Sequence, residues 1–259
     1  MTANQRKIST RLIRKGALIE ETYTAFRAWD LSLPLKENIH EIRKKNLVGA
    51  KNDGWLHEIL TTISSRFTKA DDLEPLVILA KGDLDIAIWR ACLLWHVGNI
   101  DFLYYHFGVD WLFEQYSEGT YFLRTEDVLP FVRKVTDGHI ASGGKLSDYG
   151  ALRAGRDLLR MATDFGLLEG SVKKRFANYR IPQEAFMYVL HSLADEGKNS
   201  LKIVSSKKWR LFFMGAEDVE RELLRLHQYN LLEYQVAGSM VHLKLPCGSL
   251  TEYARKLVA

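Results

Sequence analysis

The sequence predicts a mainly α-helical protein: a helical bundle over residues 1–137, then a smaller α-rich, winged-helix-like part over residues 145–259 that carries short β-hairpins. Three observations predict it. Apolar residues recur at three- and four-residue steps through the first half. The pattern breaks at a glycine-rich stretch, Asp137-Gly138 through Gly143-Gly144. Beyond the break, a helix-then-hairpin pattern occurs twice, some 65 residues apart.

In chain order, Ile8, Leu12, Ile19, Tyr23 and Phe26 form one face of a helix from Ile8 to Ala28. Pro34 restarts the chain, and Leu35–Lys45 is a short helix with Ile39 and Ile42 inward. Asp53 caps a helix whose buried stripe is Trp55, Leu56, Ile59, Leu60, Ile63 and Phe67. Asp71–Ala80 is another helix. Asp83–Phe107 is long, aromatic and apolar on most sides, which places it at the bundle centre, bent or ended at Gly98. Thr125–Val135 closes the bundle.

After the break, Asp148–Phe165 is amphipathic and ends in Gly166-Leu167-Leu168-Glu169. A basic loop and an alternating strand, Phe176–Ile181, follow. Arg156-Asp157-Leu158-Leu159-Arg160-Met161 then matches Arg221-Glu222-Leu223-Leu224-Arg225-Leu226, and Leu167-Leu168-Glu169 matches Leu231-Leu232-Glu233. In the second copy, strands Leu232–Val236 and Met240–Leu245 flank Ala237-Gly238-Ser239. Each copy reads as the last helix of a winged helix with its wing.

With 259 residues, 47% of them hydrophobic, and only five prolines, the chain is long and apolar enough for two packed domains. Two distant cysteines, Cys92 and Cys247, exclude a disulfide scaffold and fit a reducing, cytoplasmic setting. The most apolar run, Ile86–Val97, has 12 residues and contains Arg90 and His96, too short and too polar to span a membrane. The net charge of +4 hides block polarity. Residues 1–51 carry 11 Lys/Arg against 5 Asp/Glu, residues 52–130 carry 5 against 13, and residues 131–180 carry 10 against 5. That distribution suits a basic face for a polyanion and an acidic face for water or a partner.

Catalytic signatures are missing. His57-Glu58 opens a zinc-protease motif whose second histidine position holds Thr61. Around Gly138–Leu146, Lys145 stands one place late for a phosphate loop and Leu146 replaces the needed hydroxyl. Cys92 sits in an apolar helix, His96 and His106 lie too far apart to share a ligand, and the Asp71-Asp72 and Asp83/Asp85 carboxylates read as helix caps. The expectation is a protein without enzymatic activity, cofactor, metal or small-molecule ligand.

Basic clusters carry the functional expectation. Lys7, Arg11, Arg14 and Lys15 share a face of the first predicted helix. Arg43, Lys44 and Lys45 form a second cluster. Lys173, Lys174 and Arg175 with Arg180 form a third, on the first wing, and Lys207-Lys208-Arg210 a fourth. Such clusters on phosphate give affinity that is independent of sequence and sensitive to salt. The helix Glu217–Gln228 carries Glu217, Asp218, Glu220 and Glu222, a poor composition for reading a major groove.

Scattered positions also resemble a known family. Gly16-Ala17-Leu18 with Glu20-Glu21, Trp29-Asp30, Asn46-Leu47, Ser64-Ser65-Arg66-Phe67, the run Ile88–Trp95, Ile100-Asp101-Phe102-Leu103 and Gly166-Leu167-Leu168 are arranged as in the BrxA family of BREX phage-exclusion systems. The resemblance covers about residues 8–182. It implies two globular helical parts, the first similar to the antitermination factor NusB, and binding to double-stranded DNA. It also implies work beside a methyltransferase, an ATPase and a phosphatase-like protein, and it supplies no catalytic motif. The chain from Gln183 onward looks like an extension. A protein–protein adaptor docking through the acidic middle section, or a winged-helix transcriptional regulator, are the alternative readings.

Overall fold

In the computed structural model, residues 8–67, 73–137, 144–238 and 240–259 are described. They form a mainly helical molecule with two short antiparallel hairpins. The first helix, α1 (Ile19–Arg27), is much shorter than the periodicity predicts: residues 11–15 are turns. Gly16 and Leu18 both take left-handed backbone angles, which stops a helix from running through them. Helix α2 (Leu35–Lys45) follows extended Pro34 and ends at left-handed Asn46. Helix α3 (Asp53–Phe67) is capped by Asn52, one residue before the expected Asp53, with the Asn52 side-chain oxygen accepting the Trp55 N–H at 2.8 Å. Helix α4 spans Leu73–Lys81; the predicted start at Asp71 lies outside the described residues.

The long central helix is broken at Asp101, not at Gly98. Helix α5 (Ile86–Ile100) stops there, and the Asp101 carboxylate accepts the Tyr104 N–H at 2.8 Å to cap α6 (Phe102–His106). A π-helical turn, Phe107–Leu112, leads into α7 (Phe113–Ser117). Gly98 has a packing role instead: a Cβ there would lie 2.6 Å from Leu211. Helix α5 is buried nearly all round. Trp89 donates to the Ile19 carbonyl at 3.1 Å, and Trp95 donates to Ser192 Oγ at 2.8 Å.

Helix α8 (Thr125–Thr136) packs on α9 (Asp148–Asp164), which Ser147 caps through the Gly150 N–H. Most of the glycine-rich break, residues 138–143, lies outside the described residues. After α9, β1 (Leu168–Glu169) pairs with β2 (Arg175–Phe176), and Leu123 exchanges backbone hydrogen bonds with Lys174 at 2.8 and 2.9 Å. The predicted strand Phe176–Ile181 is therefore mostly irregular. Its partner chain has already entered the α9 terminus, and Ala177 N–H finds only the Leu167 carbonyl.

The second helix–hairpin unit contains α10 (Gln183–Asp195), α11 (Ser200–Val204), a 3₁₀ turn (Lys207–Phe212) and α12 (Ala216–Gln228). Strands β3 (Glu233–Ala237) and β4 (Met240–Lys244) then pair in register from Glu233–Lys244 to Ala237–Met240. Helix α13 (Leu250–Val258) returns to the start of the molecule and packs on α4, with Arg255 on Glu74 at 2.7 Å. One continuous set of buried apolar side chains runs from Ile8 to Ala254.

Candidate nucleic-acid interface

The N-terminal turn is held from beneath by Arg66, a buried side chain at the end of α3. Its guanidinium donates to the carbonyls of Leu12 at 2.8 Å, Gly16 at 2.5 Å and Ala17 at 2.6 Å. Those carbonyls would bond to N–H groups four residues on in a helix; one fixed fork of donors replaces them. Burial lowers the Arg66 pKa to about 10, against the pull of Asp101 and Asp164, so the group remains cationic at neutral pH.

The same turn lies along α9. Asp164 accepts the Ala17 N–H at 2.9 Å, and Arg160 donates to the Arg14 carbonyl at 2.5 Å. Arg11, Arg14, Lys15 and Arg153 line a groove of about 460 Å³ whose other wall includes Glu58 and Thr61 of α3. Lys15 reaches Glu58 at 3.2 Å and stands 5.8 Å above the Trp55 ring. On α9, Arg153, Arg156 and Arg160 follow one another at three- and four-residue steps, the spacing of one helix stripe. Between them sits Asp157, buried, with Arg160 at 3.5 Å and Arg153 at 3.8 Å. Burial raises the Asp157 pKa, while Arg160, Arg153, Arg156 and Arg14 lower it in turn. Asp157 thus ties two arginines to the helix surface, while Arg156 is exposed beside them.

The expected residues are distributed unevenly around this groove. Arg11 and Arg14 are exposed at its rim and Lys15 is half-buried, but they present from a turn rather than from the helix face expected of them. Lys7 lies outside the described residues. Arg43, at the end of α2, reaches His57 of α3 at 3.0 Å, next to the Glu58 that holds Lys15. Lys44 is exposed and Lys45 is paired with Glu41 at 3.4 Å. In the first hairpin, Lys174 donates to the Gly170 carbonyl at 2.7 Å, and Arg175 pairs with Glu169 at 2.7 Å. Burial lowers the Lys174 pKa and Asp164 raises it. The hairpin lies beside the end of α9 because β1 follows directly from it. Lys173 lies 5.6 Å above the Phe122 ring, and Arg180 is exposed. Among the described residues, no hydrogen bond or ion pair links the hairpin cluster to Arg43–Lys45. In the fourth cluster, Lys208 pairs with Glu196 at 2.6 Å, and Arg210 lies 4.8 Å over Phe113.

Sequence reasoning missed Arg153, Arg156 and Arg160 as site residues and treated Arg156 and Arg160 only as markers of the repeat. Their regular spacing on an amphipathic helix inside a basic block was the signal. Arg66 offered none, because its partners lie some 50 residues away. Among the described residues, no helix is long and apolar enough to cross a membrane.

No curated protein and no solved structure matches the chain. The sequence profile of the BrxA family matches residues 6–192, well over half of its length and including the N-terminal turn, α3, α9 and the first hairpin. The chain belongs to the BrxA family of BREX phage-defence proteins.

Proposed function

We propose that the protein is a non-enzymatic component of its BREX system that grips double-stranded DNA. One observation carries this reading: Arg11, Arg14, Lys15 and Arg153 line one groove, and α9 continues its arginine stripe from Arg153 through exposed Arg156 to Arg160, which reaches the Arg14 carbonyl. Guanidinium groups suit phosphate because they donate in a planar fork, and Asp157 holds two of them, Arg153 and Arg160, at the helix surface. The chain order supports a winged-helix arrangement for the first unit. Leu123 pairs with the segment leading into β2, β2 pairs with β1, and α8 and α9 lie between Leu123 and the hairpin. In that arrangement α9 faces the duplex. The methyltransferase, ATPase and phosphatase-like proteins of such systems are its partners in defence.

The test is a titration against labelled random-sequence duplex at two salt concentrations. The wild-type protein binds with an affinity that falls steeply with salt, because bound counterions are released. The triple variant Arg11→Glu, Arg14→Glu, Arg156→Glu loses at least about tenfold in affinity, as like charges replace phosphate contacts. Wild-type protein that fails to bind duplex at low salt sinks the reading. The acidic section with its partners then becomes the next object of study.

A further inference from the structure

Beside the first hairpin, the chain exposes aromatic surface that a duplex grip does not use. Tyr121 is 74% and Phe122 44% exposed, and their rings meet edge to face at 4.4 Å. The backbone next to them is anchored, because the following residue, Leu123, is fully buried and exchanges two backbone hydrogen bonds with Lys174. Cations flank them along the Leu123–Lys174 bridge. Lys173 stands over Phe122, Arg124 is exposed one residue beyond Leu123, and Arg175 is exposed with Glu169 as its partner.

We propose that Tyr121 and Phe122 form a stacking platform for an unpaired DNA base, so that the protein prefers duplex carrying a single-stranded tail. This rests on the duplex-binding reading above and adds a second ligand class to it. Within a duplex the base faces are stacked on each other and offer nothing to an aromatic ring. An unpaired strand offers one face per nucleotide together with a phosphate on each side. Exposed aromatics interleaved with Lys173 and Arg124 match that alternation. Lys173 covers the Phe122 face in the free protein; a phosphate draws it off the ring and opens the face. Strand β1 follows directly on the end of α9, and the β1–β2 pairing with the Leu123–Lys174 bridge sets the platform beside that end, where a duplex gripped by Arg156 and Arg160 would lead.

The experiment compares a blunt duplex with the same duplex bearing a single-stranded thymidine tail, for wild type and for the double variant Tyr121→Ala, Phe122→Ala. Both side chains are exposed, and matching unfolding midpoints show that the variant keeps its fold. Wild type binds the tailed duplex about tenfold more tightly than the blunt one, the size expected from one stacked base. The variant binds both duplexes with the wild-type affinity for the blunt one. Equal binding of blunt and tailed duplex by wild type overturns this inference and leaves the duplex reading standing. So does a tail preference that survives in the variant. Wild type that binds neither duplex overturns both readings.

Discussion

Helices α9 and α12 end alike. Gly166 and Asn230 take the left-handed conformation, the N–H groups of Leu167 and Leu231 return to the carbonyls of Ala162 and Leu226, and each chain then enters a Leu-Leu-Glu segment and a hairpin. Their outer faces differ. On α9 the carboxylates are occupied: Asp148 pairs with Arg133, Asp157 with two arginines, and Asp164 with a backbone N–H. Arg156 is exposed among them. On α12 the arginines are occupied instead, Arg221 by Asp218 and Arg225 by Glu222, with Glu217 and Glu220 exposed. One supersecondary pattern therefore presents opposite charge, and what pairs with each helix decides which sign remains: α8 and the N-terminal turn occupy two of the α9 carboxylates, whereas the α12 arginines are paired within their own helix. A chain path repeated in this way does not carry its surface charge with it.

Four experiments would break or sharpen that contrast. The largest effect is expected from Arg66→Met, which strands three carbonyls beneath the first unit and has no counterpart under the second. Loss of such a buried, hydrogen-bonded charge costs about 3–5 kcal/mol. The denaturant midpoint should drop accordingly, and duplex binding should weaken before the far-ultraviolet dichroism of the helices is lost. A small midpoint shift would mean that the turn holds itself.

Next comes pH. Burial raises the Asp101 pKa from 3.8 to about 6, with the Tyr104 N–H and Arg66 opposing it. The folded protein then binds a proton more readily than the unfolded chain between those values, so stability from this group falls as pH rises through the window. Asp101→Asn keeps the cap and removes the titration; its advantage over wild type should grow by up to about 3 kcal/mol between pH 4 and pH 7. His96 has the opposite sign. Buried against the Tyr188 hydroxyl at 2.7 Å, its pKa falls from 6.5 to about 3, and its share of stability is lost as pH drops through that range. Unfolding midpoints across pH for wild type and Asp101→Asn test the direction.

The charge contrast itself is tested by reversal. Arg156→Glu should weaken duplex binding about tenfold, whereas Glu217→Lys with Glu220→Lys should leave it within about threefold, because α12 lies outside the proposed groove. Strong gain of affinity in the second variant would place both units on DNA. The smallest effect is reserved for Arg175→Ala, which removes an exposed pair with Glu169 and should change stability by less than about 1 kcal/mol, read from the same unfolding curves.

What the sequence makes legible follows the range of the forces involved. Helix α2 appears in full because Pro34, the inward Ile39 and Ile42, and Asn46 are all local signals. The α9 terminus and the second hairpin appear for the same reason, whereas the first hairpin's return strand, expected at Phe176–Ile181, is confined to Arg175–Phe176. The N-terminal turn does not: its apolar spacing suits a helix, and left-handed Gly16 and Leu18 together with a guanidinium from a distant helix decide otherwise. The Asp101 break is hidden in a run apolar on every side, where periodicity has nothing to contrast. Of the proposed site, the cations on the turn were visible as charge. The arginines of α9 were visible only as a repeat, and the hairpin cations were visible without the Glu169 and Gly170 contacts that hold them.

The meeting of α13 with α4 has a kinetic side. Arg255 and Glu74 are separated by 181 positions, and Val258 fills the space over Gly82. Closing so long a loop carries an entropic barrier that local helix formation cannot lower. The face of α4 that meets α13, from Glu74 to Gly82, stays uncovered until that closure. Folding of the bundle is thereby coupled to the far end of the described chain, and a nascent or clipped protein lacking α13 would present that face to chaperones.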